Sequence, residues 1–235
     1  MLRILKSCVH WMGRWYIQKI NKSLWESQNP KRLNERPVEY GFAFTCLSQV
    51  APRAVLDVGT GTTALPSLLT ICGYHVMAID NIRDYWPQGM FNRHFYVLDD
   101  DITHTKLHQQ FDMVLCISVL EHIINYEQAL EGMTSLTKPG GHLVITCPYN
   151  EHLGSANVYK QRGSYGKGNP YGCKQFTRDD FQKWLGSSRC AIARQEWWQC
   201  FDSDYWSCGN QILPPRKVSA EQQHQHTCLL IQRPR

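Results

Sequence analysis

Asp57, Val58, Gly59, Thr60, Gly61, Thr62 and Thr63 follow one another. They hold the chain's clearest ligand-binding pattern. Glycines two apart let the backbone turn tightly and approach a ligand closely. If a helix starts just after them, its free N–H groups face a carboxylate or phosphate. Asp80 lies 23 residues after Asp57 and ends a short apolar run. A carboxylate there can accept hydrogen bonds from a ribose diol. Asp99, Asp100 and Asp101 precede Ile102, and an acidic end at that point can reach an adenine amino group. A glycine turn alone is weak, because ordinary turns produce it. The acidic companions raise it to a nucleoside-type cofactor site. A dehydrogenase stays open at this stage, with Ala64 as the third small residue of its glycine pattern.

These residues need an α/β frame. AVLDV (54–58), HVMAID (75–80), HFYVLD (94–99), FDMVLCIS (111–118) and HLVITC (142–147) read as buried strands. Residues 63–72 read as a helix closed by Gly73, and KPGG (138–141) reads as a turn. Ser118 and Glu121 have capping-box spacing for a helix running to Leu136, as do Thr177 and Asp180 for one ending near Gly186. CAIARQEWW (190–198) and TCLLIQ (227–232) read as two last strands, paired as an antiparallel hairpin at one edge. The expected fold is a doubly wound α/β domain. It has a mostly parallel seven-stranded sheet, that C-terminal hairpin and an N-terminal helical extension. The extension covers 1–49 and the domain 50–235. Within the extension, residues 2–25 show Leu5, Val9, Met12, Tyr16 and Ile20 at helical spacing, with Trp11 and Trp15 widening the stripe. A polar connector with Pro30 and Pro37 follows, then a short helix at 38–49.

VLDVGTGTT, AID, DDDIT, FDMVLCISVLEHI and KPGGHLVITCP together resemble a class I S-adenosylmethionine-dependent methyltransferase. The acidic residue two before the first glycine and the LEHI segment fit this family better than a dehydrogenase. The resemblance covers residues 50–150 well and is closest to the small-molecule branch. It implies S-adenosyl-L-methionine as cofactor, with Asp57, Gly59, Thr60 and Gly61 at its methionyl part. It implies Asp80 with Asn81 at the ribose, Asp101 with Ile102 around the adenine, and Ser118 and His122 on the floor near the sulfonium. One departure is Thr63, which replaces the loop's usual third glycine.

The acceptor is read from the remaining segments. Neither an Asn/Asp-Pro-Pro-Tyr type segment nor a cysteine beside proline ends the fourth strand, which argues against nucleic-acid methylation. Residues 149–176 form a long segment with Lys160, Arg162, Lys167 and Lys174 against Glu151, and it carries four tyrosines. Such a segment reads as a lid over a polar acceptor with an anionic or sugar-containing group. Tyr85, Trp86 and Pro87 can wall the cofactor pocket, and Asp204, Tyr205 and Trp206 form a third aromatic group. A hydroxyl acceptor needs a base for its proton. His152 is the first candidate, Glu151 can share or orient that role, and His122 is the second. Asn34 to Tyr40 loosely resembles the opening of methyltransferases associated with surface glycans. The expected reaction is therefore methylation of a carbohydrate-type hydroxyl; a carboxylate, phenol or amine, or a non-catalytic interaction module, remains open.

Charge bounds the partners. Residues 1–36 carry eight Lys/Arg and two Asp/Glu, whereas the other 199 carry seventeen and eighteen. A near-neutral body with a basic arm is not a phosphate-tracking nucleic-acid binder. The arm can lie on an anionic membrane, although a pocket cap or homodimer contact takes precedence on sequence alone. No CxxC occurs among the ten cysteines, and His224 with His226 gives no metal arrangement. Cys72, Cys116, Cys147 and Cys228 read as small buried hydrophobes. Lys6, His10 and Arg14 interrupt any signal-peptide core, so a reducing cytoplasm is expected.

Overall fold

The computed structural model describes residues 2–28, 33–86 and 88–235, with side chains from residue 6 onward. Pro30 of the expected connector, Pro87 of the aromatic wall and the Leu5 side chain lie outside these. Two compact units are present, Met1–Asn34 and Glu35–Arg235. Among its described residues the first holds one helix, α1 (Leu2–Glu26). The second begins at α2 (Arg36–Val50). The sequence reading placed α2 with the extension, but Phe42, Ala43, Cys46 and Leu47 are buried in the core of the second unit.

The strands are β1 (Ala54–Val58), β2 (His75–Asp80), β3 (Leu98–Asp99), β4 (Phe111–Ile117), β5 (Thr137–Pro148), β6 (Ala191–Phe201), β7 (Gln211–Val218) and β8 (His226–Gln232). They form one sheet in the order β3-β2-β1-β4-β5-β8-β6-β7. The first five are parallel, and β8 runs antiparallel to both β5 and β6. The sheet therefore has eight strands rather than seven. The additional one, β7, contains Pro214 and Pro215 and pairs only with β6 at the sheet edge, where missing N–H donors are tolerated. β6 and β8 do pair antiparallel, but inside the sheet rather than at its edge. Only Leu98 and Asp99 of the expected third strand join the ladder.

Alternation along the strands builds two layers. Val55, Met113, Leu115, Val144 and Leu230 face α2 and α3 (Leu65–Ile71), and a single turn, α4 (Ile82–Tyr85), follows β2. Leu56, Val58, Val114, Cys116, Leu143, Ile145 and Ile231 face the other way, onto α5 (Tyr126–Leu136) and α6 (Arg178–Ser188). Side chains of successive strand residues point to opposite faces, so one apolar run feeds both cores. α6 carries the expected capping box, with Thr177 and Asp180 bonded reciprocally. The other expected box is absent. Residues 120–122 form one short 3-10 turn, and α5 starts only at Tyr126. Cys116, Cys147 and Cys228 are buried as expected, but Cys72 is exposed.

Candidate active site

The strand order reverses direction between β1 and β4, and the carboxyl ends of the strands around that switch point surround a cavity of about 550 Å³. That size suits a small-molecule or cofactor site. Gly59, Thr60 and Gly61 line it directly after β1. Gly59 has φ +72°, and a Cβ there would lie 2.3 Å from a Val119 methyl, so only glycine fits. The N–H groups of Gly59 and Thr60 donate to the Ile79 carbonyl at 2.9 and 3.2 Å. Asn92 ties the loop down by donating to the carbonyls of Gly61 and Thr63, both at 2.9 Å. Beneath the loop, buried Asp57 accepts from the Thr60 hydroxyl at 2.7 Å. Burial pushes the Asp57 carboxyl up to about 7 despite that bond.

Asp80 ends β2 and lines the same cavity. Its two oxygens accept from the Gly61 N–H at 2.7 Å and from the Trp86 indole at 2.9 Å. Burial raises its pKa, and these donors oppose the rise. A carboxylate has about four acceptor positions, so each oxygen retains capacity for a ribose hydroxyl. Asn81 donates to Asp101 at 3.3 Å, and Asp101 also accepts from the Thr103 N–H and hydroxyl at 2.9 and 2.8 Å. Ile102 is buried and lines the cavity beside them. Gly132 lets α5 close against this turn, since a Cβ would lie 2.1 Å from the Ile102 carbonyl oxygen. Carboxylate, amide and apolar wall thus line one cavity, and their chemistry fits S-adenosylmethionine.

The floor is built from distant segments. Ser118 has φ +50° and donates its hydroxyl to Glu39 at 2.5 Å, which is why it does not cap a helix. Glu39 is fully buried on α2 and also accepts from Thr146 at 2.8 Å and Arg36 at 3.2 Å. His226 Nε2 lies 3.3 Å from Oε1, the oxygen that Ser118 and Thr146 also reach, while Arg36 is on Oε2. Burial would raise the Glu39 carboxyl, but the bond and charge of His226, with Arg36 and Ser118, outweigh it and hold the group at about 2. Burial pulls the His226 imidazole down; the bond and charge of Glu39 win and raise it. Arg36 lines the cavity and donates to the Ile117 carbonyl at 3.1 Å, so its guanidinium can hold a carboxylate there. The sequence reading missed Arg36, Glu39 and His226 as site residues. A glutamate amid the apolar residues of a short helix was the available signal.

Of the candidate bases, His122 alone lines the cavity. Its Nδ1 is 2.7 Å from the Gly172 carbonyl, which can only accept, so Nδ1 carries the proton in the neutral ring. Nε2 is then the acceptor, 3.9 Å from Glu121. Burial lowers the His122 pKa, and the Gly172 bond opposes it. Glu121 is buried, and burial pushes its carboxyl up to about 8. His152 is exposed and does not line the cavity. Glu151 is buried away from the cavity, and its carboxylate accepts from Arg178 and from Trp197, at 2.7 and 2.8 Å.

Segment 149–176 reaches the site through Tyr171 and Gly172. Tyr171 stacks on Tyr85 with ring centroids 4.4 Å apart and donates to the Tyr85 carbonyl at 3.2 Å. Tyr85 and Trp86 line the cavity, as the aromatic segment suggested. The segment's basic residues do not line it. Lys160, Arg162 and Lys167 are exposed, and Lys174 pairs with Asp180 at 3.0 Å. Trp206 packs 6.2 Å from Tyr159.

Comparison with known proteins gives the same picture. A family described as a methyltransferase domain matches residues 25–213. A ubiquinone biosynthesis O-methyltransferase of Rickettsia bellii is 26% identical over 143 residues, covering 55% of this chain and 58% of that protein. One from Coxiella burnetii is 31% identical over 99 residues, covering 39% and 42%. The chain thus aligns with about half the length of these curated relatives. Among solved structures, a SAM-dependent methyltransferase from Archaeoglobus fulgidus aligns with TM-score 0.56 and 16% identity over 85% of this chain and 95% of that one. Burkholderia thailandensis 1,6-didemethyltoxoflavin-N1-methyltransferase, solved with S-adenosylhomocysteine, aligns with TM-score 0.54 and 13% identity over 92% and 84%. At such identities the structures show a shared fold. The family match spans most of the chain, and this chain belongs to the class I S-adenosylmethionine-dependent methyltransferases.

Proposed function

We propose that this protein transfers a methyl group from S-adenosylmethionine to an oxygen of a small polar acceptor, with a carbohydrate-type hydroxyl as the preferred class. The observation that carries the reading is the convergence of the glycine turn, Asp80, Asp101, Ser118 and His122 on one cavity. The cofactor supplies an electrophilic methyl on a sulfonium. The protein's part is then alignment of the acceptor and exclusion of water. Asp80 with Asn81 holds the ribose, Asp101 and Ile102 flank the adenine, and Arg36 meets the methionyl carboxylate. His122 is the proposed base, because its Nε2 is the unprotonated nitrogen and the ring lines the cavity. Oxygen as the acceptor atom draws support from the O-methyltransferase relatives. The stacked Tyr85 and Tyr171 favour a second reading, an aromatic hydroxyl, since an aromatic wall accepts a flat ring as well as a sugar face.

Calorimetry with S-adenosylhomocysteine tests the cofactor half. Binding is expected, and Asp80→Ala should weaken it by about tenfold or more, the loss of hydrogen bonds to a charged group. Absence of binding to the wild type would refute the enzyme reading. Methyl transfer from labelled cofactor to parallel panels of sugars, phenols and amines tests the acceptor half. Labelling confined to amines would overturn the oxygen assignment. Among the described residues no helix is long and apolar enough to cross a membrane. The free cysteines suit the reducing cytoplasm we propose as its compartment.

A further inference from the structure

α1 forms its own unit, and its side chains find little cover. From Lys6 to Glu26 every residue is exposed except Ile20, which is half-buried. Trp11, Met12, Trp15, Tyr16, Ile17 and Trp25 are each more than half exposed. Soluble surfaces tolerate single exposed apolar residues, but a contiguous set marks an interaction surface. Within residues 8–17 only His10, Gly13 and Arg14 interrupt the apolar residues, and His10 and Arg14 share one side of the helix. The rest of the circumference there is apolar and rich in tryptophan. Charge adds the second observation. Leu2–Glu26 carries Arg3, Lys6, Arg14, Lys19 and Lys22 against Glu26 alone. Lys19 lies over the Trp15 ring at 5.6 Å, and Lys22 sits 3.5 Å from Glu26.

We propose that α1 lays the protein on an anionic lipid surface, with its tryptophans at the headgroup level and its basic residues on lipid phosphates. Tryptophan and tyrosine favour that interface because their rings are amphipathic. Lysine and arginine stems can lie along the apolar boundary with their charges in water. A second copy of α1 is the weaker occupant. The three-four spacing of Val9, Met12 and Tyr16 meets Lys19, and the apolar residues continue only by four-residue steps to Ile20 and Leu24, so a regular paired seam would lose its register halfway. Two helices of the same excess positive charge would also repel.

Co-sedimentation of the full chain with phosphatidylcholine vesicles, with and without phosphatidylglycerol, tests the inference. Binding is expected only with phosphatidylglycerol and should weaken as salt rises. Arg14→Gln with Lys19→Gln should lower affinity by about fivefold per charge removed. Trp11→Glu with Trp15→Glu should abolish binding, while calorimetry on the same samples shows unchanged S-adenosylhomocysteine affinity. Protein left in the supernatant with anionic vesicles would overturn the proposal, as would undiminished binding of the tryptophan variant. So would a lipid-free dimer in analytical ultracentrifugation that this variant dissolves, since the occupant would then be a second copy.

Discussion

Glu39→Gln removes the charge at the centre of the cavity floor while keeping the side chain's shape. The wild-type carboxyl sits at about 2 against an ordinary value of 4.5. At about 1.4 kcal/mol per pKa unit, that difference corresponds to roughly 3 kcal/mol of native-state stability. The sign follows from the depressed value: the contribution is present above pH 4.5 and is lost as pH falls towards 2. His226 has the opposite sign. Its pKa is raised from 6.5, so its contribution is full below 6.5 and fades as pH rises through the folded-state value. Both describe one interaction seen from its two ends and are not added. The variant should therefore lose roughly 3 kcal/mol in urea unfolding between pH 4.5 and 6.5. The loss should shrink at higher pH, as His226 discharges, and also at lower pH. Because Arg36 and Ser118 bond to the same carboxylate and line the cavity, S-adenosylhomocysteine affinity should fall by about tenfold. A cost below about 1 kcal/mol at pH 5.5, or one that grows steadily with pH, would refute the ion-pair account. Reduced stability with unchanged ligand affinity would refute the coupling of this network to the site.

Gly59→Ala should destabilise the protein by about 2 kcal/mol or more in denaturant unfolding, from the positive φ and the overlap with Val119, and should abolish S-adenosylhomocysteine binding. Asp57 has a raised pKa of about 7, so its contribution is full below 3.8 and is lost as pH rises through 7. Asp57→Asn should remove that slope and be more stable than wild type at pH 8, by roughly 4 kcal/mol at most; a variant weaker at pH 8 would contradict the assignment. His122→Ala should lower kcat by about a hundredfold and His152→Ala by much less, and steady-state rates giving the reverse ranking would move the base to His152.

The sheet was largely legible because buried strands are short apolar runs with clear ends. β1 and β2 occupy the expected residues, and β4 and β8 agree to within one residue. β7 was hidden because its adjacent prolines read as a loop, and only its edge position makes them tolerable. The glycine turn and its acidic companions were legible for a related reason: each lies within a few residues of a strand end. The failed capping box shows the limit of local reading. Ser118 and Glu121 have the right spacing, yet the hydroxyl is taken by Glu39, 79 residues earlier in the chain. Burial, rather than capping, governs Glu121. Likewise Glu151 looked available beside the strand end, and Arg178 and Trp197 engage it from later segments.

That contrast divides the site in two. The side proposed for ribose and adenine is held by contacts between neighbouring strand ends, such as Asp80 with Gly61 and Asn81 with Asp101. The cavity floor joins α2, the end of β4, β5 and β8 through one buried carboxylate. Those segments span positions 36 to 226, so the floor is complete only when the last strand has inserted between β5 and β6. Contacts so distant in sequence form late and are lost together. A partly unfolded molecule that releases β8 would keep the glycine turn and Asp80 but lose the clamp on Arg36 and Ser118. Hydrogen exchange should show the amides of β8 and α2 opening in a single step under mild denaturant, with those of β1 and β2 protected longer. If β1 opened before β8, the floor would not depend on the last strand in this way.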